Sequence, residues 1–337
     1  MHIIDSHFHW WPRSVFEVMN KRSAFPYTRP NAKGCYTCFL QDGPDYVMNL
    51  WPEWFDLDDQ FAHMDKLGHQ VDAVGSIGPF SVYFSALPEA EGRDLAIQWN
   101  EEMAAAQRRY PGRFYGSAAI PFQSEKVAMD VLDDAIHRLG LIGINLPGSI
   151  GADPHIDQER MQSFYARCAA LDLPIFLHPT DAIFNHMLDG YNGALHLSLG
   201  RVMEVSVAAM RLVLSGTMER HPNLKIIMSH TGGALPYQSG RMDKNTRAAQ
   251  LPRPASDYLR RMYTDTVTPH AAGMRFAIDY YGIDHVMYGT DYPCWDPATC
   301  LQLIEELKLS QQDQDKLFRE NARRILNLKR DVAAAAE

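Results

Sequence analysis

The chain has few cysteines, no long apolar run and no layout of a signal peptide. Five cysteines occur among 337 residues, and their spacing forms no disulfide framework. Cys35 and Cys38 form one CxxC pair without the second pair of a zinc knuckle, so we interpret them as loop cysteines in a reducing compartment. No run reaches the roughly 18 apolar residues of a membrane span. The N-terminal MHIIDSHFHWW enters a predicted strand directly, and we therefore expect a cytoplasmic protein.

The chain also lacks an excess of positive charge. Its formal net charge is −9 at pH 7 and its calculated pI is about 5.8. These values argue against nucleic acid and against an anionic membrane surface as partners. The expected partner is a small molecule, and an anionic one would need local positive charge from a metal ion or an arginine.

Short apolar runs alternate with longer stretches of helical periodicity through most of the chain. Because near-continuous apolar strands that alternate with helices are typical of a covered parallel sheet, the pattern predicts an α/β protein. Eight runs without a GxGxxG turn favour a closed (β/α)8 TIM-type barrel over an open doubly wound sheet. The predicted strands are His2–Ser6, Val71–Ile77, Phe114–Ile120, Leu141–Leu146, Pro174–Leu177, Lys225–Ser229, Met262–Val267 and His285–Gly289. The clearest predicted helices are Arg93–Arg109, Glu125–Leu139, Gln158–Leu171 and Arg201–Arg220.

One interval, residues 12 to about 56, interrupts the alternation with many prolines, glycines and aromatic residues. It has no apolar core of its own, so we interpret it as an insertion after the first strand within one barrel domain spanning residues 1–330. Such an insertion lies over the catalytic face of a barrel, where it can act as a lid or a specificity element. The alanine-rich tail, residues 331–337, is expected to be frayed.

Polar residues stand at the ends of several predicted strands. His7 and His9 are two residues apart, which places both side chains on one face of the first strand. His178, His230 and Asp291 each follow a buried run directly. Any one of these histidines alone is better read as a structural residue. Five such groups at the rim where barrel enzymes build their active sites favour a metal site, since burying them without a metal is costly.

Four motifs carry a resemblance to a known family. They are DSHFH at residues 5–9, LHPTD at 177–181, SHTGGALPYQSGR at 229–241 and GTDYP at 289–293. Their order and spacing resemble the amidohydrolase superfamily, and more narrowly the branch of 2-amino-3-carboxymuconate-6-semialdehyde decarboxylase, with γ-resorcylate and 5-carboxyvanillate decarboxylases. The resemblance runs nearly from end to end of the chain.

The resemblance implies a role for individual residues. It makes His7, His9, His178 and Asp291 the ligands of one divalent metal ion, with zinc as the expected ion and manganese as the alternative. His230 becomes the catalytic acid/base, and Asp291 shares in the proton transfer. Arg241 becomes a contact for a substrate carboxylate, reaching toward a neighbouring subunit, and we expect a homodimer or a higher homo-oligomer. Four aromatic residues are predicted to line the pocket or the core: Trp10, Phe80, Phe184 and Trp295.

The predicted function is metal-dependent, non-oxidative decarboxylation of a carboxylated aromatic or muconate-type acid. The alternative is a metal-dependent hydrolase or hydratase acting on an amide, a lactone or the C–C bond of a ring-cleavage product. Asp rather than Glu in GTDYP favours decarboxylation. The insertion reads Val47-Met48-Asn49-Leu50-Trp51 where the semialdehyde decarboxylase has an arginine, which indicates a different substrate.

Overall fold

The protein is described from a computed structural model that covers residues 1–39, 47–151, 153–180 and 185–328. Its strands are β1 His2–His9, β2 Thr28–Pro30, β3 Tyr36–Phe39, β4 Val47–Asn49, β5 Gln70–Ser76, β6 Phe114–Gly116, β7 Ile144–Pro147, β8 Pro174–His178, β9 Lys225–Met228 and β10 Tyr263–Thr264. Its α-helices are α1 Arg13–Asn20, α2 Leu57–Asp65, α3 Ser81–Ala86, α4 Glu89–Arg109, α5 Glu125–Asp133, α6 Gln162–Ala170, α7 Asn185–Leu188, α8 Arg201–Leu214, α9 Thr217–Arg220, α10 Leu235–Asn245, α11 Ala255–Leu259, α12 Ala271–Tyr281, α13 Pro297–Glu306, α14 Gln311–Asp315 and α15 Asn321–Ile325.

Two parallel sheets supply seven of the barrel strands. One has the order β1-β5-β6 and the other the order β10-β9-β8-β7. A bridge between Ala118 and Ile144 joins the first sheet to the second. The ring closes through residues 286–288, because the amide of Met287 donates to the carbonyl of Thr264 and the amide of Ser6 donates to the carbonyl of Tyr288. The predicted (β/α)8 barrel is confirmed.

All eight predicted strand positions are occupied, but several bounds differ. The seventh strand is only the two residues of β10, and the eighth predicted run pairs through single bridges rather than a continuous ladder. The predicted helix Arg201–Arg220 is two helices, because Gly216 adopts the left-handed conformation with φ 77° between α8 and α9.

The insertion after β1 is more ordered than the sequence indicated. It contains α1 and an antiparallel sheet of order β2-β3-β4, in which Thr28 pairs with Cys38 and Thr37 with Asn49. Its buried Phe16 packs edge-on against Phe80, with ring centroids 4.9 Å apart. The apolar side chains of the insertion therefore join the core of the barrel, as expected for a segment without a core of its own.

The C-terminal helix closes the end of the barrel where the strands begin. Ala322 and Ile325 of α15 pack in one cluster with Ile4, Val74 and Met287 from inside the barrel. The opposite end, where the strands finish, is left for the site. Among the described residues, no helix combines the length and the apolar composition that crossing a membrane requires. The predicted domain limit at residue 330 and the tail 331–337 lie outside the described residues.

Candidate active site

Strand β1 places two imidazoles inside the barrel. Because side chains alternate along a strand, His7 and His9 point inward while Phe8 points outward and stacks on Phe61 with ring centroids 6.4 Å apart. Both histidines are buried, with 4 % and 1 % of their surface exposed. Their ring centroids are 5.1 Å apart. One strand thus supplies two nitrogen donors within reach of a single ion.

Two further strand ends complete a group of four donors. His178 is the last residue of β8, and Asp291 follows the eighth strand position. One ligand atom from each of His7, His9, His178 and Asp291 lies within 4.8 Å of the others. All four side chains are buried. The structure therefore brings together the four residues predicted to hold a metal ion.

The donor atoms suit a divalent cation. The Nε2 atom of His178 is buried and has no hydrogen-bond partner among the described residues, and the buried Nε2 atom of His7 lies 3.4 Å from Oδ1 of Asp291. The Nε2 atom of His9 lies 2.8 Å from Oδ1 of Asp291. Buried nitrogen atoms without a partner are costly, and three imidazoles with one carboxylate form a donor set that zinc and related ions accept. The residues present fit a mononuclear metal site.

The pKa values of His178 and Asp291 favour the forms that bind metal, whereas that of His7 favours the protonated ring. Burial lowers the pKa of His178 well below its usual value, and the neighbouring histidines lower it further. Burial opposes ionisation of Asp291, but contacts with His230, His7 and His9 hold the pKa of Asp291 well below its usual value. Burial would also lower the pKa of His7, yet the nearby carboxylates of Asp265 and Asp291 raise it to about 10. A divalent cation can replace the proton that these carboxylates retain on His7.

His230 lies beside the four donors. Its Nε2 atom is 3.8 Å from Oδ2 of Asp291, and its ring centroid is 5.4 Å from those of His7 and His178. It begins a short turn after β9 in which His230 and Thr231 have φ near 55°. Such left-handed conformations are unfavourable for residues other than glycine and occur at functional sites that hold them in place. His230 therefore lies next to the group of four donors without being one of them.

A buried carboxylate that the sequence analysis overlooked connects two of these histidines. Asp265, directly after β10, accepts hydrogen bonds from Nδ1 of His7 at 2.6 Å and from the backbone amide of His230 at 3.2 Å. Asp265 falls inside the predicted seventh strand, Met262–Val267, whereas the observed strand β10 ends at Thr264, so the predicted bounds concealed its position at a strand end.

Asp5 supports the site by accepting hydrogen bonds from His7 and Thr290. It accepts from the amides of His7 and Thr290 at 3.1 Å each and from the hydroxyl of Thr290 at 2.5 Å. Burial raises the pKa of Asp5 to about 7, although these hydrogen bonds oppose the rise. Asp5 therefore ties the chain before Asp291 to the strand that carries His7.

The predicted substrate-binding residues are spread over different surroundings. Arg241 is exposed on α10. Trp10 donates from its indole nitrogen to the carbonyl of Phe55 and packs on the barrel core, and Phe80 is fully buried against Trp11. Half of the surface of Trp295 is exposed. Phe184 lies outside the described residues. A substrate contact stays a prediction for all five of the predicted residues.

The sequence is similar to characterised proteins along most of its length. Residues 4–328 match the profile of the family described as amidohydrolase. A γ-resorcylate decarboxylase from Rhizobium sp. is 28 % identical over 301 residues, which cover 84 % of this chain and 91 % of that protein. A 2-amino-3-carboxymuconate-6-semialdehyde decarboxylase from Dictyostelium discoideum is 28 % identical over 336 residues, covering 96 % and 91 %. These matches confirm the resemblance drawn from the four motifs.

The fold is shared with a solved structure of the same branch. It is the 5-carboxyvanillate decarboxylase of Novosphingobium aromaticivorans, complexed with manganese and 4-hydroxy-3-methoxy-5-nitrobenzoic acid. The TM-score is 0.81 and the identity is 21 %, over 97 % of this chain and 96 % of that chain.

Proposed function

The chain belongs to the amidohydrolase family, and from that premise we propose that it is a metal-dependent, non-oxidative decarboxylase of a carboxylated aromatic or muconate-type acid. The observation that carries the proposal is the group of four buried donors, His7, His9, His178 and Asp291, with the imidazole of His230 beside it. The decarboxylases similar to this chain over most of its length support the choice of reaction.

The four donors would hold one divalent ion. When bound, such an ion supplies a Lewis acid that polarises the oxygen atoms of a substrate carboxylate and of an adjacent hydroxyl group. The nitrogen-rich donor set favours zinc, whereas the related 5-carboxyvanillate decarboxylase structure contains manganese. The native ion is found by measuring metal content in protein purified without added metal.

His230 would supply the proton that replaces the departing carboxyl group. The C–C bond to the carboxylate breaks, its electron pair stays on the substrate carbon, and CO2 leaves. The carbon then takes a proton from Nε2 of His230, which gives a C–H bond and a neutral imidazole. Oδ2 of Asp291 lies 3.8 Å from Nε2 of His230, so its carboxylate stabilises the protonated imidazole before the transfer. In this way Asp291 takes part in the proton transfer.

Recognition of the substrate carboxylate is assigned to Arg241. A guanidinium group binds a carboxylate through two parallel hydrogen bonds, and in a chain of net charge −9 it would add to the local positive charge that an anionic substrate needs. Arg241 is exposed on α10, where it is available to a neighbouring subunit of a homo-oligomer.

The reaction is tested by a screen of carboxylated phenols and ring-cleavage acids that scores released CO2 and product mass. A decarboxylase gives a product lighter than its substrate by CO2. A hydrolase or hydratase gives products that have gained water. Water addition without CO2 release across the screen would move the protein to that second class.

A further inference from the structure

The carboxylate of Asp265 is surrounded by N–H donors on every side. Oδ2 accepts from Nδ1 of His7 at 2.6 Å and from the amide of His230 at 3.2 Å. Oδ1 accepts from the amides of Thr231 at 3.1 Å and of Val267 at 3.0 Å. A carboxylate offers about four acceptor positions, so the four N–H groups use all of them. Asp265 is also buried, with 2 % of its surface exposed.

The contact with His7 determines which nitrogen of that ring can bind a metal ion. A carboxylate only accepts hydrogen bonds, so the proton of a neutral His7 lies on Nδ1. The lone pair of the neutral ring then lies on Nε2, which is buried within the group of four donors and lies 3.4 Å from Oδ1 of Asp291, itself one of the four. Asp265 therefore selects the ring form in which His7 can act as a ligand through Nε2.

The contacts with the backbone hold the turn that carries His230. Both His230 and Thr231 are left-handed, with φ of 55° and 54°, and their two amides point at the two oxygens of one carboxylate. Without that acceptor, both amides would lose their partner, and the unfavourable backbone conformation would be held only by the hydrogen bonds that the amides of Gly232 and Gly233 donate to the carbonyls of Ser229 and His230. The same side chain thus fixes a ligand nitrogen and the neighbouring imidazole.

We propose that Asp265 is a positioning residue that couples the metal-binding form of His7 to the placement of His230. This inference rests on the proposed function for its metal ion and its acid/base. It assigns no direct contact between Asp265 and the substrate.

Asp265→Asn tests the coupling with little change of shape. The amide group presents NH2 on one side, so two of the four donors must face another donor. If NH2 faces His7, the neutral ring has to accept at Nδ1 and carry its proton on Nε2, where it blocks a metal ion. If NH2 faces Thr231 and Val267, the turn at His230 loses its support.

The experiment measures metal affinity by competition with a chelator of known affinity. We expect Asp265→Asn to bind zinc about 10–100-fold more weakly than the wild type, as found when partners of ligand histidines are removed. We also expect a lower kcat when the variant is saturated with metal, with KM less affected, because His230 is displaced. Asp72→Asn is the matched control, since Asp72 is a buried carboxylate that pairs with His2 at the opposite end of the barrel. It should keep the metal affinity of the wild type.

A second measurement needs no variant of Asp265. Zinc-loaded protein labelled with 15N-histidine is studied by NMR, and the signals of His7 are identified by their absence in His7→Gln. In the wild type, Nδ1 of His7 should carry a hydrogen-bonded proton and Nε2 of His7 should coordinate zinc. Coordination through Nδ1, or an unchanged zinc affinity of Asp265→Asn, would overturn the inference. Wild-type protein that binds no divalent metal would instead contradict the proposed function.

Discussion

At the scale of single residues, two histidines in one site have different surroundings and hence different expected roles. Nε2 of His178 is buried among the other donors without a hydrogen-bond partner in the described part of the chain. His230 is partly exposed at 13 % of its side chain and lies 3.8 Å from Asp291. Ligand and acid/base can therefore be separated by substitution.

His178→Ala should lose most of the bound metal, because one of the four donors is removed. Decarboxylation should fall with the metal content. Metal analysis of the purified variant by atomic emission checks this, with wild-type protein prepared in parallel. Retention of a full equivalent of tightly bound metal would remove His178 from the ligand set.

His230→Ala should keep a metal content near that of the wild type while kcat falls by about 10²–10⁴. The reason is that proton transfer is lost while the four donors remain. Steady-state kinetics together with metal analysis of the same sample measures both effects. A variant that loses its metal would make His230 a ligand and would assign the proton transfer to another residue.

Arg241→Lys should weaken turnover of a carboxylate substrate, because a point charge replaces the two-pronged guanidinium contact. The loss should appear in kcat/KM across the acids that the wild type accepts. Lys244→Arg, on the same helix, keeps the charge elsewhere on α10 and serves as the control. An unchanged kcat/KM in Arg241→Lys would exclude a bidentate contact with the substrate.

At the scale of elements, the turn after β9 depends on two glycines that follow the left-handed pair. Gly232 has φ 76°, and a β-carbon there would lie 2.2 Å from the hydroxyl of Tyr281. The turn therefore needs glycine both for its backbone conformation and for its close approach to α12. Its position decides where the ring of His230 lies.

Gly232→Ala should destabilise the protein by more than about 1 kcal/mol and should lower kcat, because the clash and the positive φ both displace the turn. Gly240→Ala is the matched control. Gly240 is exposed in α10, and a β-carbon added there would meet no described atom within 4 Å, so alanine should stabilise by roughly 0.5–1 kcal/mol. Chemical denaturation of both variants measures the difference. Equal stabilities would show that the turn is not constrained.

The elements also differ in how far the sequence could predict them. The long apolar runs and the ends where His178, His230 and Asp291 stand were recognisable, because buried parallel strands have a strong local pattern. The sheet β2-β3-β4 was not recognised, because strands of three or four residues among prolines have no clear periodicity. Asp265 was overlooked because its role depends on contacts with His7, 258 residues away in sequence, which no local pattern records.

At the scale of the whole molecule, the site joins parts of the chain that are far apart in sequence. His7 and His9 come from β1, and His178 comes from β8, which is the fifth strand of the barrel. Asp291 follows the eighth barrel strand. The other end of the barrel is closed by the cluster around α15. A metal ion at the four donors would therefore cross-link the first, fifth and last barrel strands at one end only.

Removal of the metal should accordingly lower both activity and thermal stability. We expect about one divalent ion per chain and loss of decarboxylation on chelation, with recovery when zinc or manganese is restored. An ion that binds only the folded state stabilises it by about 2.7 kcal/mol at a hundred times its Kd. Since about 1 kcal/mol moves Tm by roughly 2–4 °C in chains somewhat smaller than this one, the apo protein should melt several degrees lower.

Asp72→Asn, at the closed end, is the control. It should lower Tm equally with and without metal, because its contact with His2 lies at the end of the barrel away from the four donors. Calorimetry of the wild type and of Asp72→Asn, each with and without metal, measures the Tm shift caused by the metal and the shift caused by the substitution. A metal-free protein with full activity would contradict the metal-dependent reaction.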